Sequence, residues 1–295
     1  MRSSALLIVN PISTKYKESK IDAARAMLKA AGYSVDLYLT QEKGHAESRA
    51  KQAVSEPYSL VFAGGGDGTV NEVANGLAFS NSVMGILPLG GSNVFSREIG
   101  SKGMVHRAVA SAIAGRPHRV SLGRIRAPWG SRYFTTMSGI GFDALTVYNV
   151  DKALKKVIGV PAYVVSGIRC LLSYKTEAIT LRVDGRDISG YSAIISNATR
   201  YGGDFRIAPQ AGINMADLYV HVFQGWGRGA LLKHTAGILG GLQLDKLSGV
   251  LGLRCSSISI TAESHIQMDG DYFGKCSTND PVEIDVCKDA LMLVY

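Results

Sequence analysis

Residues 60–73 constrain the fold of this 295-residue chain more than any other stretch. They read Leu-Val-Phe-Ala-Gly-Gly-Gly-Asp-Gly-Thr-Val-Asn-Glu-Val, a short apolar run followed by glycines and then by apolar residues at helical spacing. This pattern predicts a buried strand, a glycine loop and a helix. Glycine fits where the backbone takes a positive φ or closely approaches a ligand, and a helix that opens after it directs free N–H groups at that ligand. The stretch therefore predicts a phosphate site.

Asp67 lies inside this loop, where a bare carboxylate would repel a phosphate. A divalent cation between the two groups removes the repulsion, so we interpret Asp67 as a Mg²⁺-phosphate residue. The alternative is a tight strand-to-helix turn in which Asp67 or Thr69 is the N-cap. The loop is not a Walker loop, because no Lys-Ser/Thr pair follows, and its glycine spacing differs from the dinucleotide fingerprint.

Three further predicted strands in the first half also end in polar or glycine-rich residues. They are predicted at residues 5–9, 34–40 and 83–87, and helices between them make the alternation typical of a parallel, doubly wound α/β sheet. Open sheets of this kind bind ligands at the carboxyl ends of their strands. Each end alone also fits a simple turn, but together they predict an ATP site. Its residues are Asn10, Pro11, Thr40, Gly64, Gly65, Gly66, Asp67, Gly68, Thr69, Asn71, Glu72, Gly91, Ser92 and Asn93.

The alternation of predicted strands and helices ends after the turn-forming Gly-Arg-Pro segment at residues 115–117. Short strand-like runs then follow one another, which is typical of an antiparallel β-sandwich. We place one domain at residues 1–121 and a second at residues 122–289, and the last run, residues 290–295, fits either. Apolar insertions at residues 142–174 and 226–246 are predicted to be helical. The strand-like runs are 120–126, 133–137, 178–183, 191–196, 217–223, 257–261 and 282–286.

The charge balance favours anionic partners. The formal net charge is +8 and the pI is near 9.3, which suits nucleotides, an acidic membrane surface or nucleic acid. Nucleic acid ranks last, because no helix-turn-helix or zinc-finger pattern occurs. The four cysteines lack zinc spacing and are expected to be reduced. With no signal-like start and no run of eighteen apolar residues, we expect a cytoplasmic protein.

Four motifs resemble those of one enzyme family. Residues 65–69 resemble the GGDGT signature of diacylglycerol, sphingosine and ceramide kinases and, more distantly, of NAD kinases and phosphofructokinases. Residues 138–144 resemble the family's G-x-G-F-D-A segment, residues 197–209 its N-x-x-x-x-G-G-x-F…A-P stretch, and residues 268–271 its D-G-E segment. Because these motifs follow the family order through both halves, the chain is identified as a member of this lipid-kinase family.

The resemblance implies both a fold and an activity. The fold is an NAD-kinase/phosphofructokinase-like nucleotide domain, to which residues 290–295 return, followed by a β-sandwich lipid domain. The activity is Mg²⁺- and ATP-dependent phosphorylation of a lipid hydroxyl, with Asp269 as general base and Asp143 holding the base or the hydroxyl. Local sequence alone also fits a hairpin turn at Asp269 and a helix N-cap at Asp143. Asp271 stands where the family has glutamate.

Two segments depart from the family pattern. Gly91 stands where the family has a threonine expected to touch nucleotide phosphate, and Ser92 is a candidate substitute. The segment that carries a second, structural magnesium in bacterial diacylglycerol kinases reads Met-Ala-Asp-Leu-Tyr-Val at residues 215–220. Asp217 is its remaining acidic residue, so we expect this second metal site to be weak.

The acceptor lipid is not specified by the sequence. Diacylglycerol and a long-chain base are the two classes expected, and peripheral attachment to an anionic membrane would bring the enzyme to either. Candidate membrane-contacting stretches are residues 157–172, preceded by Lys152, Lys155 and Lys156, and residues 231–244. Two functional alternatives stay open: a kinase for a soluble acceptor such as NAD, and a nucleotide- or lipid-binding regulator without efficient transfer. A homodimer is a candidate assembly.

Overall fold

The computed structural model describes residues 3–101, 103–150, 166–167, 170, 178–225 and 227–295. The chain divides into two units, Met1–Ser121 with Asp289–Tyr295, and Leu122–Lys288. The first has a parallel sheet with helices and the second has antiparallel sheets. This confirms the fold class predicted from the sequence.

Four parallel strands make the sheet of the first unit in the spatial order β2–β1–β3–β4. The strands β1, β3 and β4 are buried along nearly their whole length, as parallel strands covered on both faces usually are. The end of the chain joins this sheet, because Leu293 pairs in parallel with Met84. The strands are β1 Ser4–Val9, β2 Ser34–Leu39, β3 Leu60–Gly65 and β4 Met84–Pro88.

Five helices alternate with these strands or follow them. Ile21 and Leu28 of the first helix and Val109 of the fifth pack in one core with Leu7 and Phe62 of the sheet. The second and third helices pack against each other. The helices are α1 Glu18–Ala30, α2 His45–Ala53, α3 Asp67–Leu77, α4 Val94–Glu98 and α5 Val105–Ala114.

The second unit contains a six-stranded antiparallel sheet and a further antiparallel set of strands. Two of its strands are shared along the chain with the first unit, since β5 begins there and β18 ends there. The strands in chain order are β5 His118–Ala127, β6 Gly130–Phe134, β7 Met137–Gly141, β8 Ile179–Val183, β9 Arg186–Gly190, β10 Ser192–Ser196, β11 Arg200–Tyr201, β12 Phe205–Arg206, β13 Leu218–Phe223, β14 Val250–Cys255, β15 Ser257–Ile260, β16 Ser264–Met268, β17 Asp271–Cys276 and β18 Val282–Leu293. The six-stranded sheet has the order β14–β13–β10–β7–β16–β17. In the other set, β15 pairs with β8 and β18, β8 with β9, and β5 with β6.

Apolar side chains of both sets of strands share one core. Ile140 and Val220 come from the six-stranded sheet, and Leu181 and Ile258 come from the other set. Each is at most 1% exposed, and burying such a side chain contributes roughly 1.5–3 kcal/mol. On the opposite face of the six-stranded sheet, a second cluster includes α6 (Phe142–Tyr148) and α7 (Gly227–Leu239).

Several sequence-based boundaries were wrong. The predicted strand at residues 133–137 is two strands, β6 and β7, separated by Thr135 and Thr136. The two predicted terminal runs, 282–286 and 290–294, are the single strand β18, which passes through Asp289 in the left-handed region at φ 52°. Strands β9, β14 and β17 were not predicted, because charged and glycine residues interrupt their apolar alternation.

The structure describes the second predicted membrane-contacting stretch and little of the first. Residues 157–165, 168–169 and 171–172, with the three preceding lysines, lie outside the described residues. The stretch at 231–244 includes most of α7, whose Leu231 is buried in the second unit while Leu232 is exposed. Within the described part of the chain, no helix has the length and apolar character needed to cross a membrane.

Candidate functional site

The glycine loop lies where the strand order of the first sheet reverses. The chain runs from β1 outward to β2 and then crosses back to β3 on the other side of β1, and open α/β sheets bind ligands outside the carboxyl ends of strands at such a point. Asn10 follows β1 here, and its N–H donates to Gly64 O at 2.8 Å. Its side-chain Nδ2 lies 3.4 Å from Thr69 Oγ1. The ends of β1 and β3 are thus joined by hydrogen bonds.

The glycines of this loop serve close packing rather than unusual backbone angles. None of Gly64, Gly65 and Gly66 has a positive φ. A Cβ on Gly65 would lie 2.3 Å from Thr69 Oγ1, and a Cβ on Gly90 would lie 2.4 Å from the Cα of Gly66. Glycine is required at residue 90 because the backbone of its loop lies against the backbone of Gly66, and at residue 65 because the Thr69 side chain fills the space.

Helix α3 opens directly after the loop, as the sequence predicts. Its first helical hydrogen bond runs from Val70 N to Gly66 O. The amides before Val70 are therefore those that a helix N-terminus offers to an anion. Gly68, in this first turn, is exposed, and Thr69 is buried.

Asp67 lies at the first position of α3 and contacts the start of a second helix. Its Oδ1 accepts a hydrogen bond from Phe95 N, in the first turn of α4, at 3.3 Å. The preceding loop is fixed by Asn93, whose Oδ1 accepts from Gly90 N and whose Nδ2 donates to Gly90 O, both at 2.9 Å. The carboxylate is half-buried. The Asp67 carboxylate therefore lies at the N-terminus of α3, which is suited to binding phosphate.

This donor set fits a magnesium ion that arrives with a nucleotide. Mg²⁺ is usually held by one or two carboxylates together with substrate phosphates, rather than by a cage of protein ligands. Among the described residues, no group of three or more His, Cys, Asp or Glu side chains is placed to hold a metal. Asp67 is a residue that could hold Mg²⁺ carried by a bound nucleotide.

The remaining predicted nucleotide residues divide into two sets. Thr40 lies near the loop, because its N–H donates to Val9 O, next to Asn10, at 2.9 Å. Gly91 O accepts a separate hydrogen bond from Lys15 Nζ at 3.4 Å. By contrast, Glu72 binds the start of α2, accepting from Gly44 N at 3.0 Å and Ala46 N at 3.2 Å. That contact explains the Glu72 carboxylate without a nucleotide. The other predicted residues make local contacts. Pro11 follows Asn10, and Ser92 O accepts a hydrogen bond from Arg97 Nε. Asn71 is buried and accepts hydrogen bonds from Asn75 Nδ2.

In the second unit, Asp269 is bound by the link between β6 and β7. Its carboxylate accepts from the N–H and Oγ1 of both Thr135 and Thr136 and from Met137 N, at 2.6 to 3.1 Å. Asn197 supports the same link, since its Nδ2 donates to Thr135 O and its N–H to Thr136 O, both at 2.8 Å. Sequence reasoning missed the two threonines, because it placed them inside a strand.

Asp143 belongs to a neighbouring cluster of polar side chains. It lies in the first turn of α6, where Oδ1 accepts from the Tyr201 hydroxyl and Oδ2 accepts from Gln267 Nε2 at 2.7 Å. A Cβ on Gly139 would lie 1.7 Å from Asp143 Oδ2, so glycine there leaves the room for this carboxylate. Burial raises the pKa of Asp143, and the hydrogen bonds from Tyr201 and Gln267 oppose that rise. Asp271, by comparison, is exposed at the start of β17.

The residues around Asp217 do not fit a second metal site. Both carboxylate oxygens of Asp217 accept from Arg254 Nη1, at 2.9 and 3.1 Å, so a cation already neutralises this group. Tyr219, two residues on, donates its hydroxyl to Asp245 Oδ1 at 3.1 Å. His221 Nε2 lies 3.1 Å from the same oxygen. The Asp217 carboxylate is therefore occupied by an arginine where the family resemblance implied a metal ligand.

His221 gives the second unit a pH-dependent stability. The side chain is fully buried, and desolvation lowers its pKa from 6.5 to about 4, against the opposing effect of Asp245. As pH falls below 6.5, His221 becomes protonated in the unfolded chain but stays neutral in the folded chain until about pH 4. The stability that is present above pH 6.5 is therefore lost as pH falls toward 4. We expect this loss to reach about 3 kcal/mol.

Denaturant unfolding between pH 7.5 and 4 measures this loss. His221→Gln should flatten the pH dependence while lowering stability at pH 7.5, and His106→Gln, at an exposed histidine, should leave the dependence unchanged. An unchanged pH dependence in His221→Gln would show that another group is responsible.

Comparison with known proteins assigns the family. Residues 4–125 match the diacylglycerol kinase catalytic domain, and residues 136–295 match the YegS C-terminal NAD kinase beta sandwich-like domain. A diacylglycerol kinase of Staphylococcus aureus (strain MRSA252) is 27% identical over 297 residues, which span 95% of this chain and 89% of that protein. A diacylglycerol kinase of Staphylococcus haemolyticus (strain JCSC1435) is 28% identical, with 95% and 85% covered.

Solved structures share the fold. A diacylglycerol kinase from Bacillus anthracis str. Sterne superposes with a TM-score of 0.76 at 20% identity, covering all of this chain and 97% of that one. Yeast NADH kinase complexed with NADH gives a TM-score of 0.51 at 10% identity, with 84% of that chain covered. With the two domain matches, this chain belongs to the diacylglycerol kinase family, with the catalytic domain in its first half and the YegS-type β-sandwich domain in its second.

Proposed function

We propose that this protein is an ATP-dependent lipid kinase that transfers the γ-phosphate to a hydroxyl of a membrane lipid of the diacylglycerol or long-chain-base class. The observation that carries the proposal is the glycine loop at the reversal point of the first sheet, with the α3 N-terminus and the Asp67 carboxylate beside it. Phosphoryl transfer needs a phosphate cradle, a metal and a group that takes the acceptor's proton. The loop supplies the cradle, and Asp67 holds Mg²⁺ carried by ATP.

The carboxylates of the second unit supply the remaining chemistry. We propose that the Asp143 and Asp269 pair serves the acceptor hydroxyl, the role that the family resemblance gives to Asp269. Peripheral attachment to an anionic membrane gives access to a lipid acceptor, and the formal net charge of +8 supports it. Cys255, Cys276 and Cys287 are buried free thiols, which supports a reducing, cytoplasmic location.

Transfer of labelled γ-phosphate tests the proposal. Wild-type protein is incubated with ATP and Mg²⁺, together with vesicles that pool membrane lipids or, in a parallel reaction, with NAD. We expect labelled lipid, no labelled NAD, and no label in either when EDTA is added. Label on NAD would replace the lipid kinase with a soluble-acceptor kinase. Nucleotide binding without any transfer would indicate a regulator that kept the fold.

A further inference from the structure

One face of α7 is fixed against the six-stranded sheet. Leu231 is buried in the core cluster on that face of the sheet. His234 is also buried, and its Nδ1 lies 2.7 Å from the Tyr191 hydroxyl. A Cβ on Gly237 would lie 2.7 Å from Leu247 Cδ1, so the helix lies close against the chain that follows it. These contacts determine which residues of α7 face outward.

The opposite face of α7 is apolar as well. The residues at the outward positions, with the spacing i, i+3, i+4 and i+7 of one helix face, are Gly229, Leu232, Lys233 and Ala236, and all four are exposed. Leu232 is 56% exposed. A helix that is apolar on all sides is usually buried on all sides. The outer face of α7 is therefore suited to a second apolar environment.

The end of α7 exposes a second leucine. Leu242 N donates to Gly237 O at 2.9 Å, and Gly241 N donates to Ile238 O at 3.0 Å, with Gly241 at φ 70°. In this Schellman arrangement, the side chain at the position of Leu242 commonly packs on the residue at the position of Gly237. Because glycine offers no side chain to pack on, Leu242 is 51% exposed. Two large apolar side chains are thus presented by one short segment.

The charges around these leucines are basic. Residues 225–244 contain no aspartate or glutamate, while Lys233 and Lys246 are both exposed. The first carboxylate after α7 is that of Asp245, which is half-buried and accepts from the Tyr219 hydroxyl at 3.1 Å. Exposed leucines beside lysines complement an anionic bilayer, because the leucines enter the boundary between headgroups and acyl chains while the lysines meet anionic headgroups.

This surface lies on the same face of the six-stranded sheet as Asp143. The helix that carries Asp143, α6, contributes Phe142 to the core cluster in which Leu231 of α7 is buried. Tyr201, which donates to the Asp143 carboxylate, packs against that cluster as well. A bilayer in contact with α7 is therefore on the side of the sheet where Asp143 lies.

We infer that the outer face of α7 and the segment after it, with Leu232, Lys233, Leu242 and Lys246, form a docking surface for an anionic phospholipid bilayer. The inference rests on the proposed function in taking the acceptor to be a lipid of that bilayer. The helix lies along the membrane plane with its two leucines inserted and does not cross the membrane. Docking through α7 brings the acceptor-side carboxylates of the second unit to the bilayer surface.

Vesicle binding measured without ATP tests the surface directly. The full chain is sedimented with vesicles of phosphatidylcholine alone or of phosphatidylcholine mixed with phosphatidylserine, and we expect it to bind the anionic vesicles. Leu232→Gln combined with Leu242→Gln should weaken this binding by about tenfold or more, because the leucines no longer enter the apolar boundary. Lys233→Gln combined with Lys246→Gln should weaken it by about tenfold at low salt and by much less at high salt.

Leu251→Gln and Lys288→Gln are the matched controls, at exposed residues of the same unit. Leu251 is 39% exposed on the edge strand β14 and faces away from α7, because its neighbour Val250 packs against the α7 cluster and alternate strand residues face opposite ways. Both controls should bind vesicles as wild type does.

Two results would overturn the inference. One is a wild type that does not bind anionic vesicles, or a variant with all four substitutions that binds them as wild type does. The other is a wild-type dimer that the two leucine substitutions separate while vesicle binding persists, since the surface would then be covered by a second copy of the chain.

The presentation of the acceptor separates docking from the kinase function. Diacylglycerol and a long-chain base are each supplied in anionic vesicles or dispersed in a non-ionic detergent. The variant with all four substitutions should lower kcat/KM by about tenfold or more with vesicles and keep wild-type kcat/KM with detergent. An equal loss in both forms would overturn the inference, because these residues would then act on catalysis or folding. A wild type that phosphorylates no lipid in either form overturns the kinase function, and vesicle binding then decides the docking surface by itself.

Discussion

Asp67→Asn is expected to lower kcat/KM for Mg·ATP by about 100-fold, which corresponds to about 3 kcal/mol of transition-state stabilisation. Asparagine has the same shape and keeps an oxygen that accepts from Phe95 N, as Asp67 Oδ1 does at 3.3 Å. The start of α4 should therefore stay in place. The lost negative charge is what a hard cation such as Mg²⁺ requires, so the effect should fall on nucleotide use rather than on folding.

Steady-state kinetics at several Mg²⁺ concentrations, together with thermal unfolding, measure this effect. Asp36→Asn is the matched control, because Asp36 is an exposed carboxylate of the same unit that accepts one hydrogen bond, from the Tyr58 hydroxyl at 2.8 Å. It should leave kcat/KM unchanged. If Asp67→Asn kept wild-type kinetics and lost only stability, the role of Asp67 would be limited to its contact with α4.

The first unit was predictable because its signals are local. Its strands are short apolar runs bounded by glycine, proline or polar residues, and apolar periodicity marks the longer helices. The strand and helix on either side of residues 64–68 lie within two residues of the predicted ones. The reason for the glycines was not predictable in the same way. Gly66 is adjacent to Gly90, which is distant in sequence, so their close packing is visible only in the folded chain.

The role of a polar side chain was least predictable where its partner is distant in sequence. Glu72 was predicted to bind nucleotide, but its partners are backbone amides of Gly44 and Ala46. Asp217 was predicted as a weak metal ligand, but it pairs with Arg254. A carboxylate suits a metal, a helix N-terminus or an arginine equally well, and only the fold decides which of these it meets.

Gly90→Ala is expected to disrupt the nucleotide site by displacing the glycine loop. The new Cβ would lie 2.4 Å from Gly66 Cα and 2.8 Å from Asn93 Oδ1, and backbone atoms cannot move aside as a flexible side chain can. Overpacking of this kind usually costs 1–3 kcal/mol. We expect about 3 kcal/mol and a thermal midpoint lower by roughly 6–10 °C, together with a loss of ATP affinity of about tenfold or more.

Gly91→Ala is the matched control for stability. Among the described residues, a Cβ at residue 91 meets only Thr14 Oγ1, at 3.9 Å, which is ordinary van der Waals contact, and Gly91 has no positive φ. Its thermal midpoint should therefore stay within about 1–2 °C of wild type. Equal losses in the two variants would show that any side chain disturbs residues 90–91. No loss in Gly90→Ala would show that the loops separate at little cost, and the close contact of Gly66 and Gly90 would then not be what shapes the phosphate site.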